Sequence, residues 1–189
     1  MSKPKIITLT GASGSGKSSL AKLLLMRNDF SLVTSTTTRS ARMSDLPKEY
    51  EHISLETFAG LQEISSFIWT AEHGGNHYGT RYSYIDRALN SEKTSLMILI
   101  PEVLPTLLDY APGAVMPFYI INPGEKTLRQ RLLARGEPLE SIDKRLPQSR
   151  LWDVQAGNSG IPFCFIDNKN GKLRDAFREI NLYLNVDNL

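Results

Sequence analysis

Eight residues near the start of the chain, Gly11-Ala12-Ser13-Gly14-Ser15-Gly16-Lys17-Ser18, fit the phosphate-binding pattern G-x-x-x-x-G-K-[ST] at every fixed position. The apolar run Ile6–Leu9 precedes them, and Ser18–Met26 follows with Leu20, Leu23, Leu24 and Leu25 on one helical stripe. The pattern therefore sits between a strand and a helix, where its chemistry requires it. Glycines let backbone N–H groups curl around phosphate oxygens, because a Cβ would block both the approach and the unusual dihedrals. The helix N-terminus adds the positive end of its dipole. Gly11, Ala12, Ser13, Gly14, Ser15, Gly16, Lys17, Ser18 and Ser19 are the expected ATP-binding residues. Lys17 is expected to reach the β- and γ-phosphates and the Ser18 hydroxyl to ligate Mg2+.

Composition narrows the remaining choices. In 189 residues, 22 Lys and Arg face 20 Asp and Glu, a formal net charge of +2, too mild for bulk electrostatics to indicate nucleic acid. Anion binding must come from local clusters. The one cysteine, Cys164, lies in the apolar run Ile161–Ile166 and reads as a buried small hydrophobe, which excludes disulfides and cysteine-based metal sites. The start runs into five strand-like residues before Gly11, far short of a signal peptide or membrane span, so a cytoplasmic place and no membrane partner are expected.

Ile6–Leu9, Leu96–Ile100, Val115–Ile121 and Phe163–Ile166 have the length and character of strands buried on both faces. Helical segments at Ser18–Met26, Lys126–Arg135 and Lys172–Leu184 separate or follow them, which predicts an α/β fold with a parallel sheet. Residues 34–89 break this pattern with short alternating pieces at Tyr50–Ile53 and Phe67–Ala71, a helix near Leu55–Ile64 and a turn at Gly74-Gly75-Asn76. They read as an α+β insertion beside the sheet. Residues 125–150, rich in charge and carrying Gly136, Pro138 and Pro147, read as a helical hairpin that closes as a lid. The core is then 1–33, 90–124 and 151–189 of a single domain.

Ser35-Thr36-Thr37-Thr38-Arg39-Ser40-Ala41-Arg42, followed by Tyr50 and by Asn76-His77-Tyr78-Gly79-Thr80, resembles guanylate kinase, and the likeness runs through Leu128–Leu146 to Asp167-Asn168. The resemblance implies a P-loop NTPase three-layer fold and transfer of the ATP γ-phosphoryl group to a nucleoside monophosphate, GMP in the first place. It assigns the insertion to the acceptor: Arg39, Arg42, Tyr50 and Tyr78 grip its phosphate, and Ser35 and Thr80 contact its base. Guanidinium forks suit phosphate oxygens, and tyrosine hydroxyls donate without adding charge. It also makes Arg131, Arg135 and Arg145 the catalytic arginines of the lid beside Lys17, and puts Asn168 near the adenine. A monomer or homodimer acting on a small phosphate acceptor follows.

The chain departs from that pattern where guanine is read. Trp69 stands at the family's glutamate, Ile100 at its aspartate, and Ile98 where an aspartate lies near the magnesium. Glu72, three residues past Trp69, points to the opposite strand face, whereas Glu102 keeps the parity of Ile98 and Ile100. Two alternatives accommodate these departures: a kinase for another phosphomonoester, similar to the guanylate-kinase-like ribose 1,5-bisphosphate kinases, or a binding module similar to those of the membrane-associated guanylate kinases.

Overall fold

The computed structural model describes residues 3–43 and 45–185. β1 (Ile6–Thr10) is buried along its whole length and stands at the centre of a five-stranded parallel sheet. The sheet order is β2 (Phe30–Leu32), β7 (Thr94–Ile98), β1, β8 (Val115–Ile120), β9 (Cys164–Ile166). Because successive side chains of a strand point to opposite faces, β1 serves two cores. Ile7 and Leu9 pack with Leu20, Ala21 and Leu24 of α1 (Lys17–Leu25) and with Ala176 and Ile180 of α7 (Leu173–Asn185). Ile6 packs with Ile85 and Ala88 of α3 (Tyr82–Leu89) and with Leu104 and Leu107 of α4 (Leu104–Tyr110) on the other side. The result is a helix–sheet–helix sandwich. The chain leaves β1 to one side for β7 and to the other for β8, and such a divergence opens a crevice at the carboxyl ends of the strands.

A second sheet, in the order β4 (Tyr50–His52), β3 (Ser35–Thr37), β6 (Asn76–Arg81), β5 (Phe67–His73), is built wholly between residues 35 and 81. β5 and β6 form a hairpin across Gly74 and Gly75, both at positive φ, with an irregular register between Phe67 and Trp69. α2 (Leu55–Glu63) starts at Ser54, whose hydroxyl accepts from the Thr57 amide, and covers this sheet with Phe58, stacked on Phe67 at 4.6 Å. A third apolar cluster joins Ala12 of the glycine-rich loop to Leu128 and Leu132 of α5 (Glu125–Ala134) and to Ile142 and Leu146 of α6 (Leu139–Asn158).

Several sequence-based expectations change. β7 stops at Ile98, not Ile100, because Pro101 has no N–H for the ladder and opens a 3-10 turn, Pro101–Val103. Glu102 lies in that turn, so strand parity no longer carries it toward the cleft. β9 is an edge strand with one open side: Phe165 is 38 % exposed and Cys164 only part-buried, so neither is the fully enclosed residue that an apolar run suggests. α6 runs through Pro147 and past residue 150 without a break. Its later half is tied to the main sheet, where Asp153 accepts from the Tyr119 hydroxyl at 2.9 Å. β2, β3 and α4 are short and carry little periodicity of their own, whereas α3 is short but amphipathic, with Ile85 and Ala88 buried.

Phe58 is the main apolar link between α2 and the second sheet. Phe58→Ala is expected to lower stability by about 3–5 kcal/mol, measured by urea unfolding; a loss below about 1 kcal/mol would contradict the packing described.

Candidate active site

After Thr10 the chain turns sharply under β8. Gly11 has φ +137°, and a Cβ on it would stand 2.4 Å from the Ile120 carbonyl oxygen; Gly16 has φ +110°, and a Cβ there would meet Asn168 Nδ2 at 2.0 Å. Only glycine satisfies both positions. The loop carbonyls are taken up by cations and an amide. Arg131 donates to the oxygens of Gly14 (3.2 Å), Ser15 (3.1 Å) and Asn168 (3.0 Å), and Asn168 Nδ2 donates to Ser15 at 2.7 Å. Lys17 Nζ donates to the carbonyls of Gly11 (2.8 Å) and Ala12 (2.9 Å). Burial, and then the charge of Arg135, lower the Lys17 ammonium to about 8. The first turn of α1 presents amides that have no intrahelical acceptor.

The second sheet forms the facing wall. Its register aligns Tyr50, Ser35, Thr80 and Trp69 in one row across β4, β3, β6 and β5, with the Ser35 and Thr80 hydroxyls 3.0 Å apart. The next row on the same face is His52, Thr37, Tyr78, Ala71. Beside these rows Arg39, only 7 % exposed, donates to Asp45 at 2.8 Å and to the Ser40 carbonyl at 2.7 Å, and its guanidinium lies 5.1 Å from the Tyr50 ring. Burial pushes the Asp45 carboxyl up, but Arg39, the Arg42 amide and His52 outweigh it and hold it below its ordinary value. Burial, then Glu49, raise the Tyr50 phenol, which keeps it a neutral donor.

Between loop and sheet lies a cleft of about 820 Å³. Lys17, Lys22, Arg39, Arg42, Arg135 and Arg145 line it against Asp45, Glu49 and Glu137, so a protein of almost balanced charge concentrates positive potential in one concavity. Two of the three carboxylates are already paired, Asp45 with Arg39 and Glu137 with Arg145 at 2.8 Å. Arg42 and Arg135 make no side-chain hydrogen bond or ion pair among the described residues.

Most of the expected site residues meet here. Ser13, Gly14, Gly16, Lys17, Ser18 and Ser19 line the cleft from the loop side, Ser35, Arg39, Arg42, Tyr50 and Tyr78 from the sheet, and Arg135 and Arg145 from the helical hairpin. Gly11, Ala12 and Ser15 form the back of the loop, Thr80 lies fully buried behind Ser35, and Arg131 is engaged with the loop carbonyls outside the cleft lining. Asp45 and Glu49 carry no signal in the sequence, since both belong to an irregular segment without period or motif. Trp69, Ala71 and His73 line the cleft and Glu72 does not, as strand alternation requires.

No group of three His, Cys, Asp or Glu able to hold a metal exists among the described residues. The Ser18 hydroxyl faces the cleft and makes no hydrogen bond among them. Mg2+ keeps several waters and is usually held by one or two carboxylates together with substrate phosphates; from the loop this chain offers the Ser18 hydroxyl. No helix among the described residues is long and apolar enough to cross a membrane.

The guanylate kinase family model matches residues 3–154. A guanylate kinase of Wolinella succinogenes is 36 % identical over 149 residues, 77 % of this chain and 69 % of that protein. One of Photobacterium profundum is 34 % identical over 162 residues, 84 % of this chain and 77 % of that protein. The crystal structure of guanylate kinase from Anaplasma phagocytophilum superposes with a TM-score of 0.73 at 20 % identity, over 98 % of this chain and 87 % of that one. By the extent of the family match and by its relatives, this chain belongs to the guanylate kinase family.

Proposed function

We propose that this enzyme transfers the γ-phosphoryl group of ATP to the phosphate of GMP, giving ADP and GDP. A phosphate oxygen of the acceptor forms the new bond to the γ-phosphorus, and the bond from that phosphorus to the β–γ bridging oxygen breaks. The nucleophile is an ionised phosphate, so the protein contributes positioning and positive charge more than proton transfer. The observation that supports this most is the cleft itself, with a glycine-rich phosphate loop on one wall, a guanidinium–tyrosine cluster on the other and six cations around it.

Residues 11–19 cradle the ATP phosphates, and Lys17 leaves its two loop carbonyls for the β- and γ-phosphates. Arg39, Arg42, Tyr50 and Tyr78 hold the acceptor phosphate, and Ser35, backed by Thr80, meets the base. Residues 34–89 are thus the acceptor-binding region. Residues 125–150 are the lid: Arg135 and Arg145 reach over the transferring group as charge develops on it, and closure excludes water. Arg131 acts on the cradle as a positioning residue, through its bonds to the carbonyls of Gly14 and Ser15. Ser18 is the residue that would hold Mg2+ bound with ATP, and the ion would supply neutralisation of phosphate charge. A cytoplasmic enzyme is the natural place for this chemistry, since ATP and nucleoside monophosphates are found there.

GMP-dependent release of ADP from Mg-ATP tests the reaction directly; its absence would overturn the proposal. Lys17→Ala is expected to lower kcat by about 10²–10³, the loss typical of removing one preorganised charge donor, with an unchanged circular dichroism spectrum. Arg42→Ala is expected to raise the KM for GMP about tenfold while the Kd for ATP, measured by calorimetry, stays within about twofold. A selective loss of ATP affinity would remove Arg42 from the acceptor side.

The Lys17 ammonium also sets a pH dependence. Free enzyme loses this proton as pH rises through about 8, and triphosphate binds the protonated form. The Kd of a non-hydrolysable ATP analogue is therefore expected to be constant below pH 7 and about tenfold weaker at pH 9 than at pH 7. Affinity unchanged across that range would show that Lys17 is not the contact.

A further inference from the structure

The base end of the acceptor wall carries no free hydrogen-bond acceptor with a charge. Its row runs from Ser35 through Thr80 to Trp69, and Trp69 and Ala71 continue onto the apolar ends of β7, where Ile98, Leu99 and Ile100 line the same cleft. Ile100 is 40 % exposed, an apolar side chain left open within the cleft. Trp69 brings one polar atom, its indole N–H, which is a donor and has no partner among the described residues. That N–H is buried in the free protein, and a donor of this kind can satisfy a ring nitrogen or a carbonyl oxygen and not another N–H.

The three carboxylates of the cleft are committed elsewhere. Asp45 holds Arg39 and the Arg42 amide, Glu137 holds Arg145, and Glu49 accepts from the Leu46 amide at 2.7 Å, which closes the turn before β4. What remains of the lining at that end is Trp69, Ala71 and His73, the apolar residues 98–100 and the Ser35 hydroxyl, which Thr80 backs from a buried position. Flat aromatic rings stack on such a surface whatever groups their edges carry. A site built to hydrogen-bond a group rejects the analogue lacking it by about 10⁴–10⁵, and a site without that partner has no such means of selection.

From this surface, and resting on the phosphotransferase reading above, we infer that Trp69 is the determinant of a relaxed acceptor specificity. Purine monophosphates are held by the ring face on Trp69 and Ile100, and the N1–H and 2-amino group of guanine are not read. IMP, which lacks only the 2-amino group, is then an acceptor equivalent to GMP.

The test compares kcat/KM for GMP and IMP with Mg-ATP in the intact enzyme and in variants. The expected preference for GMP is tenfold or less; a larger one means that a group in the cleft reads the 2-amino position, and overturns the inference while leaving the reaction intact. Absence of turnover with both acceptors overturns the phosphotransferase reading itself. Trp69→Glu, which supplies an acceptor for N–H donors, is expected to raise the GMP preference at least tenfold, and no rise overturns the placement of residue 69 at the base edge. Should that charged variant fail to fold, Trp69→Leu keeps the question open to measurement. It is expected to raise KM for GMP and IMP in parallel, by about tenfold, as loss of a shared stacking surface requires; a rise for one acceptor alone overturns the inference.

Discussion

The loop after Thr10 has two positions, Gly11 and Gly16, with no room for a side chain, and much of the structure is arranged around that restriction. Gly11 lies too close to the Ile120 carbonyl, and Gly16 too close to the Asn168 amide, for any Cβ. Three separate parts of the chain then fasten onto the loop so formed. β8 lies beside it, Asn168 follows the edge strand and bonds Ser15, and the helical hairpin contributes both Arg131 and the apolar contacts of Leu128 and Leu132. The lid helices therefore start from the loop that they are proposed to cover. Arg131 couples α5 to the cradle, because the same guanidinium holds two loop carbonyls and the Asn168 carbonyl.

Charge in the cleft is balanced in a way that suits an anionic occupant. Arg39 and Arg145 are held by internal carboxylates, which keeps their long side chains ordered without phosphate, whereas Arg42 and Arg135 face the cleft unpaired among the described residues. Burial first, and the neighbouring charge of Arg135 second, lower the Lys17 ammonium to about 8. A phosphate brought into this space favours the charged form of the ammonium and offsets the proximity of like charges.

The acceptor wall shows how a cross-strand row organises a site. Tyr50, Ser35, Thr80 and Trp69 come from four strands and meet only because register places them side by side. Along the row the side chains change from hydroxyl groups to an indole.

Chemistry carried by contiguous residues is legible in the sequence alone. The loop from Gly11 to Ser18, the central strand ahead of it, the helical stripe after it and the alternation that separates Trp69 from Glu72 all depend on spacing along the chain, which the order of residues fixes directly. The parallel sheet is legible for the same reason. Other features depend on what is near in space. Asp45 becomes the partner of Arg39 through an irregular turn, β9 becomes an edge strand with Phe165 open to one side, and Arg131, one turn away from Arg135 on the same helix, is drawn out of the cleft by the loop carbonyls. Pro147 is carried inside α6, which Leu146 and Asp153 anchor on either side of it. Period and motif report local backbone geometry; burial, pairing and the direction of a long side chain are set by neighbours that only the folded chain brings together.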